Sequence, residues 1–314
     1  MTNSERLFLR LAEELNFSRA AEKAYISQQC LSDHIRRMEE SYGTKLFLRK
    51  PNVELTEAGK AVRQALLEVS RIEQGLESRL DELENGVTGT LRFALNCARA
   101  KVLLPPLFTR YHQIYPHVQL ELVVDETVVM QEMMRKGKLD CFLGVNGEYD
   151  STMQSVLLST ESFYLVASES YLRMYTRLEP EHLVNKTSPA DLRLFRGLPF
   201  ILNHAASTAH PLLQQFMSGR DISVENILCT SEYDLMEQIG RNGQAAFFCP
   251  QLLVPSMVAR NRFYPAAQQL FALPIQGLSN TIQFCLVYDS VRYYPRYAVT
   301  FFEMVQDIVK QCLT

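Results

Sequence analysis

The chain has 314 residues, of which 47% are hydrophobic and 21% charged, and its formal net charge is -3. A chain of this length forms two or three domains with separate cores. The small net charge excludes a uniformly basic nucleic-acid coat, and no apolar run is long enough to cross a membrane. The N-terminus lacks a signal-peptide pattern and the seven cysteines include no CxxC pair. We therefore expect a soluble cytoplasmic protein with reduced thiols and no membrane partner.

Residues 17–59 have the pattern of two short helices joined by a tight turn and followed by a basic hairpin. Ser18 and Ser27 can each cap the start of a helix. The hairpin is predicted from two short strands at 46–49 and 53–56, on either side of a Lys-Pro-Asn turn. This order of elements predicts a winged helix-turn-helix, in which the second helix enters the major groove of DNA.

The second helix has one apolar face and one polar face. Leu31, Ile35 and Met38 recur at helical spacing, so they are expected to face the core. Glutamine pairs bidentately with adenine, serine bonds to several base edges, and cations of the hairpin grip phosphates. The predicted DNA-binding residues are Ser27, Gln28, Gln29, Ser32, Asp33, Arg36, Arg49 and Lys50. The alternative interpretation is a plain helical hairpin with a solvated charged face.

Residues 1–59 resemble the winged helix-turn-helix of the LysR-type transcriptional regulators. The family motifs are Phe-Ser/Thr-x-Ala-Ala at 17–21, Ser-Gln-x-x-Leu-Ser at 27–32, Leu-Phe-x-Arg at 46–49 and Leu-Thr-x-Ala-Gly at 55–59. The chain departs from the family at Gln29, where many members carry Pro, and at Asp33, where many carry Arg. We expect these departures to affect which DNA sequence is recognised, but not whether the chain binds DNA.

Apolar residues between 58 and 83 recur at steps of three and four, which predicts one long helix with an apolar seam. Such a helix needs a partner, either the chain's own C-terminal domain or a second copy. The resemblance implies the second copy, hence a homodimer that matches a pseudopalindromic operator, and a homotetramer through the C-terminal domains. The expected domains are 1–59 for DNA binding, 60–86 for dimerisation and 87–314 for effector binding.

Predicted strands and helices alternate after residue 89, which favours parallel sheets with crossover helices. The predicted strands are 90–95, 118–124, 139–145, 163–167, 200–202, 245–248 and 282–288. In the amphipathic helix at 103–116, the residues expected to share one side are Leu104, Leu107, Phe108, Tyr111 and Ile114.

This alternation resembles the two-lobed, periplasmic-binding-protein-like effector domain of the same family. Lobe I is expected at about 90–162 and 268–314, and lobe II at about 163–267. Residues 171–198 match the family poorly and indicate an insertion or a long loop. The expected fold is α+β: an N-terminal winged helix-turn-helix, a long linker helix and a two-lobed α/β effector domain.

Ligands of two-lobed α/β domains bind where strands end and helices begin. The predicted effector-binding residues are Asn96, Cys97, Arg99, Thr127, Asn203 and Ser207. Free N–H groups and the charge of Arg99 favour an anionic or polar small molecule. The alternative for each residue is an ordinary loop side chain or helix cap, and for Arg99 a side chain in solvent.

No GxGxxG, P-loop, HExxH or GxSxG motif occurs, and the six histidines lack metal-ligand spacing. We therefore expect a regulator and not an enzyme, without a metal or cofactor. The main alternative concerns the signal, because some LysR-type members sense oxidants through a cysteine pair. Cys97, at a predicted helix start near Arg99 and Lys101, is the cysteine whose surroundings suit a reactive thiol.

Overall fold

The computed structural model describes residues 1–49, 52–85, 87–176, 189–205, 207–279 and 281–313. The chain divides into two compact units. The first comprises Met1–Thr88 with Val291–Arg296, and the second comprises Gly89–Ser290 with Tyr297–Thr314. Within the described residues, no helix combines the length and the apolar character that a membrane span needs.

The first unit is a winged helix-turn-helix followed by a long helix. Its elements are α1 (Asn3–Glu14), α2 (Phe17–Lys23), α3 (Gln28–Tyr42), β1 (Phe47–Leu48), β2 (Glu54–Leu55) and α4 (Glu57–Asn85). The strands β1 and β2 pair antiparallel and form the predicted hairpin. Buried side chains of α1, α3 and the hairpin form one core, which includes Phe8, Leu31, Ile35 and Leu46.

The helix ends confirm one of the two predicted caps. Ser27 caps α3, and Gly43 ends it with a φ of 67°. The start of α2 was predicted wrongly, because Asn16 provides the capping oxygen. Ser18 lies inside the helix and donates to the side-chain oxygen of Gln28 at 3.0 Å. Asn and Ser are comparable caps, so the sequence alone did not distinguish these neighbours.

The long helix α4 has an apolar stripe that its own unit covers only in part. Leu66 is 5% exposed and belongs to the core of the winged helix-turn-helix. Further along, the stripe is open to solvent at Val69, Ile72, Leu76 and Leu80, which are 41%, 55%, 57% and 51% exposed. Residue 86, the expected end of the linker, lies outside the described residues.

The second unit contains two α/β lobes. Its helices and strands are β3 (Gly89–Leu95), α5 (Cys97–Ile114), β4 (Val118–Val124), α6 (Thr127–Arg135), β5 (Cys141–Val145), β6 (Met153–Glu161), β7 (Phe163–Ser168), α7 (Glu169–Tyr175), β8 (Pro199–Leu202), α8 (Ala209–Ser218), β9 (Glu225–Cys229), α9 (Tyr233–Arg241), β10 (Ala246–Pro250), α10 (Val254–Ala259), β11 (Leu270–Pro274), β12 (Ile282–Asp289) and α11 (Arg296–Leu313).

Each lobe is built on a five-stranded mixed sheet. The orders are β4-β3-β5-β12-β6 in the first lobe and β11-β7-β10-β8-β9 in the second. The predicted parallel core is present in both, as β4-β3-β5 and β9-β8-β10. Among the strands that the structure describes, the chain passes between the lobes twice, from β6 to β7 and from β11 to β12. The two crossings are adjacent, because Ile282 pairs with Glu161 and Pro274 pairs with Tyr164.

Three strands, β6, β9 and β11, were not predicted. Strand β11 pairs antiparallel with β7, so Leu270–Pro274 belongs to the second sheet although it was expected in the first lobe. The segment 171–198 is also not simply a loop. Tyr171 lies in α7, is fully buried and donates to the carbonyl of Pro199 at 3.2 Å. Residues 177–188 of this segment lie outside the described residues.

The buried face of α5 differs from the predicted one. Leu103, Leu107 and Tyr111 are buried, whereas Phe108 is 47% and Ile114 56% exposed. The helix begins at Cys97, well before the predicted start, and continues through two internal prolines. The buried face of α5 therefore keeps Leu107 and Tyr111 from the prediction and extends through Leu103, Ala100 and Arg99 toward the start of the helix.

Candidate DNA interface and effector cleft

One face of α3 is open to solvent. Ser27, Gln28, Gln29 and Arg36 are exposed, and Ser32 and Asp33 are half-buried. The opposite face contributes Leu31 and Ile35 to the core, both fully buried. The structure thus brings the predicted recognition residues of this helix together on one surface.

Charges on this surface are partly compensated within the helix. The guanidinium of Arg36 lies 3.5 Å from the carboxylate of Asp33 and donates to Glu40 at 3.1 Å. Asp33 is therefore not an isolated negative charge, and its repulsion of DNA phosphate is reduced. The side chains of Asp33 and Glu40 are 49% and 61% exposed, so water screens both pairs and a phosphate can compete for the guanidinium.

Arg49 joins the hairpin to the recognition face. Its guanidinium donates to the hydroxyl of Ser32 at 3.4 Å and lies 5.2 Å from the ring centre of Phe17. The side chain is 45% exposed, which leaves donors available for a phosphate. Lys50, the second predicted phosphate ligand of the hairpin, lies outside the described residues.

Glu39 holds the hairpin against α3, a role that the sequence analysis missed. Its buried carboxylate accepts the N–H groups of Leu46 at 3.0 Å and Phe47 at 3.3 Å, and the ammonium of Lys45 at 2.9 Å. Burial alone would raise the pKa of Glu39, but the hydrogen bonds from Lys45 and the two N–H groups outweigh it and lower the pKa.

A cleft of about 100 Å³ lies between the two lobes of the second unit. The loops that follow strands β3, β4, β5, β8 and β9 all contribute to its lining. Five of the six predicted effector-binding residues line it: Asn96, Cys97, Arg99, Asn203 and Ser207. Thr127 is not in the lining, because its buried hydroxyl accepts the N–H of Val145 at 2.9 Å. The preceding residue, Glu126, faces the cleft in its place.

Arg99 has a partner that the sequence did not indicate. Its guanidinium makes two bonds to the carboxylate of Glu161, at 2.7 and 3.3 Å, and stacks 4.2 Å from the ring centre of Phe284. The two charged side chains are 3% and 0% exposed. Arg99 is thus neither in solvent nor a free cation, and the charge expected to attract an anion is already neutralised.

The other predicted lining residues are mostly engaged in local bonds. Asn96 caps α5 at 3.0 Å, and Ser207 accepts an N–H of the first turn of α8 at 3.3 Å. Asn203 is 3% exposed, and its amide nitrogen donates to the hydroxyl of Tyr233 at 3.3 Å. Burial raises the pKa of Tyr233, so the phenol is neutral and able to donate.

Asn146 follows β5 and lines the cleft in a left-handed conformation, with a φ of 49°. Its side chain donates to the carbonyl of Thr281 at 3.1 Å and accepts the N–H of Gln283 at 2.6 Å. These bonds connect β5 to the start of β12, so Asn146 is a structural residue at the edge of the cleft.

The cysteines divide into buried and accessible groups. Cys141, Cys249 and Cys285 are buried, and burial raises the pKa of Cys249 and Cys285. Cys97 is half-buried in the cleft lining. Cys229, which the sequence did not single out as a sensor candidate, is exposed, and its sulfur lies 3.4 Å from Nδ1 of His204.

Two family models cover most of the chain. The model described as "Bacterial regulatory helix-turn-helix protein, lysR family" matches residues 3–60, and the "LysR substrate binding domain" matches residues 84–310. The chain belongs to the LysR family of transcriptional regulators. The first model covers the winged helix-turn-helix, and the second covers the two-lobed domain.

LysR-family relatives of known sequence are moderately similar. YcgK of Bacillus subtilis, an uncharacterized HTH-type transcriptional regulator, is 25% identical over 96% of this chain and 92% of its own length. YkuM of the same organism is 29% identical over 51% of this chain. The activator IlvY of Salmonella typhimurium is 30% identical over 49% of it. The match spans about half the length of YkuM and IlvY.

Solved LysR-type structures share the fold. Full-length OxyR from Pseudomonas aeruginosa has a TM-score of 0.66 at 19% identity, with 99% of this chain and 95% of OxyR covered. CbnR in complex with its target DNA has a TM-score of 0.56 at 18% identity, with 98% of this chain and 100% of CbnR covered.

Proposed function

We propose that this LysR-family chain is a transcriptional regulator that binds duplex DNA through α3 and the β1–β2 hairpin. The observation that carries the proposal is the exposed polar face of α3, where Gln28 lies one turn before Ser32 and the guanidinium of Arg49 donates to Ser32. Amide and hydroxyl groups on such a face bond base edges, and the guanidinium holds a phosphate. A regulator whose partner is chromosomal DNA acts in the cytoplasm.

The regulator acts as a homodimer on a pseudopalindromic operator. The open apolar stripe of α4, from Val69 to Leu80, supports this assembly, because four exposed large side chains at helical spacing need an apolar partner. A second copy presents the same stripe and satisfies this need symmetrically. The family resemblance further implies that two dimers associate through their effector domains into a homotetramer.

The DNA proposal is tested by fluorescence anisotropy of labelled operator-like duplexes at several salt concentrations. We expect affinity that falls steeply with salt, as counterions are released from phosphates. Arg49→Ala weakens all sequences alike, whereas Gln28→Ala reduces discrimination against the wrong base pair by about 1–3 kcal/mol. Arg110→Ala, which removes an exposed cation of the second unit, is the control and leaves affinity unchanged. Salt-independent or absent binding contradicts the proposal.

The signal is a small molecule held in the cleft, where it contacts Asn96 and Cys97 of one lobe and Asn203 and Ser207 of the other. A ligand shifts the regulator only if it binds two arrangements of the lobes with different affinity, and contacts to both lobes provide that difference. The test is a change in operator affinity on ligand addition that Ser207→Trp, which fills the cleft, abolishes while DNA binding without ligand is retained.

A redox signal is the second candidate, favoured by the exposed Cys229 beside His204. Cys229 is the exposed cysteine among those that the structure describes, so an oxidant can reach its sulfur. If the signal is an oxidant, peroxide is expected to change the affinity of the wild-type chain for its operator. Cys229→Ser or Cys97→Ser is then expected to remove this change. If both variants respond to peroxide like the wild type, neither thiol is the sensor.

A further inference from the structure

The described lining of the cleft has an excess of negative charge. Arg99 is the one cation among these lining residues, and the carboxylate of Glu161 behind it neutralises its charge. Two carboxylates also line the cleft, Glu126 and Glu232. Glu232 is 60% exposed and lies 3.9 Å from the ammonium of Lys101, so its charge is partly compensated. Glu126 therefore dominates the electrostatics of the cleft.

Glu126 lacks a partner among the described residues. It occupies the position before α6, yet its side chain makes no capping bond, and its carboxylate forms neither an ion pair nor a hydrogen bond within the described part of the chain. The side chain is half-buried. Burial, followed by the nearby charge of Asp125, raises the pKa of Glu126, and no cation opposes this effect. A half-buried carboxylate in these surroundings is stabilised by a ligand that brings positive charge.

Asn203 provides a second acceptor in the same cleft. With its nitrogen bonded to Tyr233, its side-chain oxygen has no partner within the described residues, although the residue is 3% exposed. This oxygen is not among the fully buried, partnerless atoms of the described residues, so it can accept from a donor of a ligand in the cleft that Asn203 lines. The rings of Phe163 and Tyr233 also line the cleft and offer apolar surface to a carbon skeleton.

An anionic ligand fits these surroundings poorly. Free N–H groups at helix starts attract anions, but Asn96 and Ser207 already accept N–H groups from the first turns of α5 and α8. A bound carboxylate would share the cleft with Glu126 and find no unpaired cation among the described lining residues. Like charges at close range in a partly desolvated site repel each other strongly.

We propose that the effector of this regulator is a small organic amine in its protonated form, with Glu126 as its counter-ion and Asn203 as a further acceptor. The inference rests on the proposed function, because it assigns the chemical class of the molecule that binds the cleft. The cleft volume of about 100 Å³ suits a ligand of few heavy atoms. For comparison, an engineered apolar cavity of about 150 Å³ holds benzene.

The test is isothermal titration of the full chain with three probes that share one carbon skeleton: butylamine, butanol and butyrate, at pH 7. We expect butylammonium to bind most tightly and butyrate least. Glu126→Gln keeps the size of the side chain and removes its charge, so it weakens butylammonium by about tenfold or more, the equivalent of one charge-assisted hydrogen bond. Glu132→Gln on the exposed side of α6 is the matched control and leaves the affinity unchanged.

Tighter binding of butyrate than of butylammonium overturns the proposal, and so does an unchanged affinity of the Glu126→Gln variant for butylammonium. Absence of binding by all three probes in the tens of millimolar range overturns it as well. The operator titration uses no effector. A regulator that binds DNA but rejects amines therefore refutes the effector class alone, whereas failure to bind DNA refutes the proposed function.

Discussion

Arg99 and Glu161 lie 62 residues apart in the chain, yet their side chains form a bidentate ion pair in the interior of the effector unit. Glu161 ends β6 at the first crossing between the lobes, and its carboxylate also accepts the N–H of Leu252 at 3.2 Å. The pair thus connects the start of α5 in the first lobe with the loop after β10 in the second. It stabilises the junction at which the lobes meet.

Arg99→Ala is expected to destabilise the effector unit by about 3–5 kcal/mol, because it leaves the buried carboxylate of Glu161 without a counter-charge. Chemical denaturation measures the loss. The double variant Arg99→Met with Glu161→Leu restores much of the stability, since no charge is left buried. Arg92→Ala breaks the exposed pair with Glu121 and is the control, with a loss of at most about 1 kcal/mol. Equal losses for Arg99→Ala and Arg92→Ala contradict the prediction.

Ile72→Asp or Leu76→Asp is expected to dissociate the dimer. Both side chains are more than half exposed in a single copy, so the substitution affects the isolated chain little. In the dimer the new carboxylate is buried against apolar side chains at a cost of several kcal/mol, on the order of an unpaired buried charge. Sedimentation velocity measures the species. Gln64→Asp, at an exposed position outside the stripe, is the control and sediments like the wild type.

Glu39→Ala is expected to loosen the hairpin by about 1–3 kcal/mol at neutral pH, because two N–H groups lose their acceptor. Since the pKa of Glu39 is lowered in the fold, its contribution is complete above the ordinary value of 4.5 and is lost as pH falls through the lower folded value. Hydrogen exchange of the Leu46 and Phe47 amides measures both effects. The wild type and the variant converge in acid, and Glu40→Ala, an exposed neighbour, behaves like the wild type.

Gly59→Ala is expected to destabilise the first unit, although alanine is the better helix former by about 1 kcal/mol. A β-carbon at this position would lie 2.0 Å from the carbonyl oxygen of Leu46, which is a backbone atom and cannot rotate away. The steric cost of this clash is therefore expected to exceed the gain in helix propensity. Thermal unfolding of the first unit measures the change. Gly43→Ala, which has open space but a φ of 67°, is the comparison and is expected to lose about 1–2 kcal/mol through strain alone. If Gly59→Ala raises the unfolding temperature of the first unit, the prediction is wrong.

The elements of the first unit were predictable because their signals are local. Ser27 and Gly43 mark the two ends of α3 within a few residues, and periodicity identifies the face between them. The partner of Arg99 was not predictable in this way, because Glu161 is distant in sequence and a lone arginine after a strand does not indicate whether it pairs inside or faces a ligand. Thr127 was chosen by the correct rule, that ligands meet strand ends, but the strand placed Glu126 at the cleft.

Strands β9 and β11 escaped prediction for a different reason. All five residues of β9 are exposed, so this edge strand lacks the alternation of buried and exposed residues that identifies a strand. Leu270–Pro274 is short and ends in proline, which favours a loop when the sequence is considered alone. In both cases the pairing with a distant strand, β8 or β7, determines the structure.

The two adjacent crossings between the lobes restrict how the effector unit can move. If one connecting segment joined the lobes, one lobe could rotate or slide relative to the other. Two adjacent connecting segments oppose both of these motions, so hinge opening and closing of the cleft is the main motion left. Any molecule in the cleft then acts on one coordinate, the angle between the sheets. Chemically unrelated ligands that set the same angle should be interchangeable as signals, and a ligand that sets an intermediate angle should act as a partial agonist.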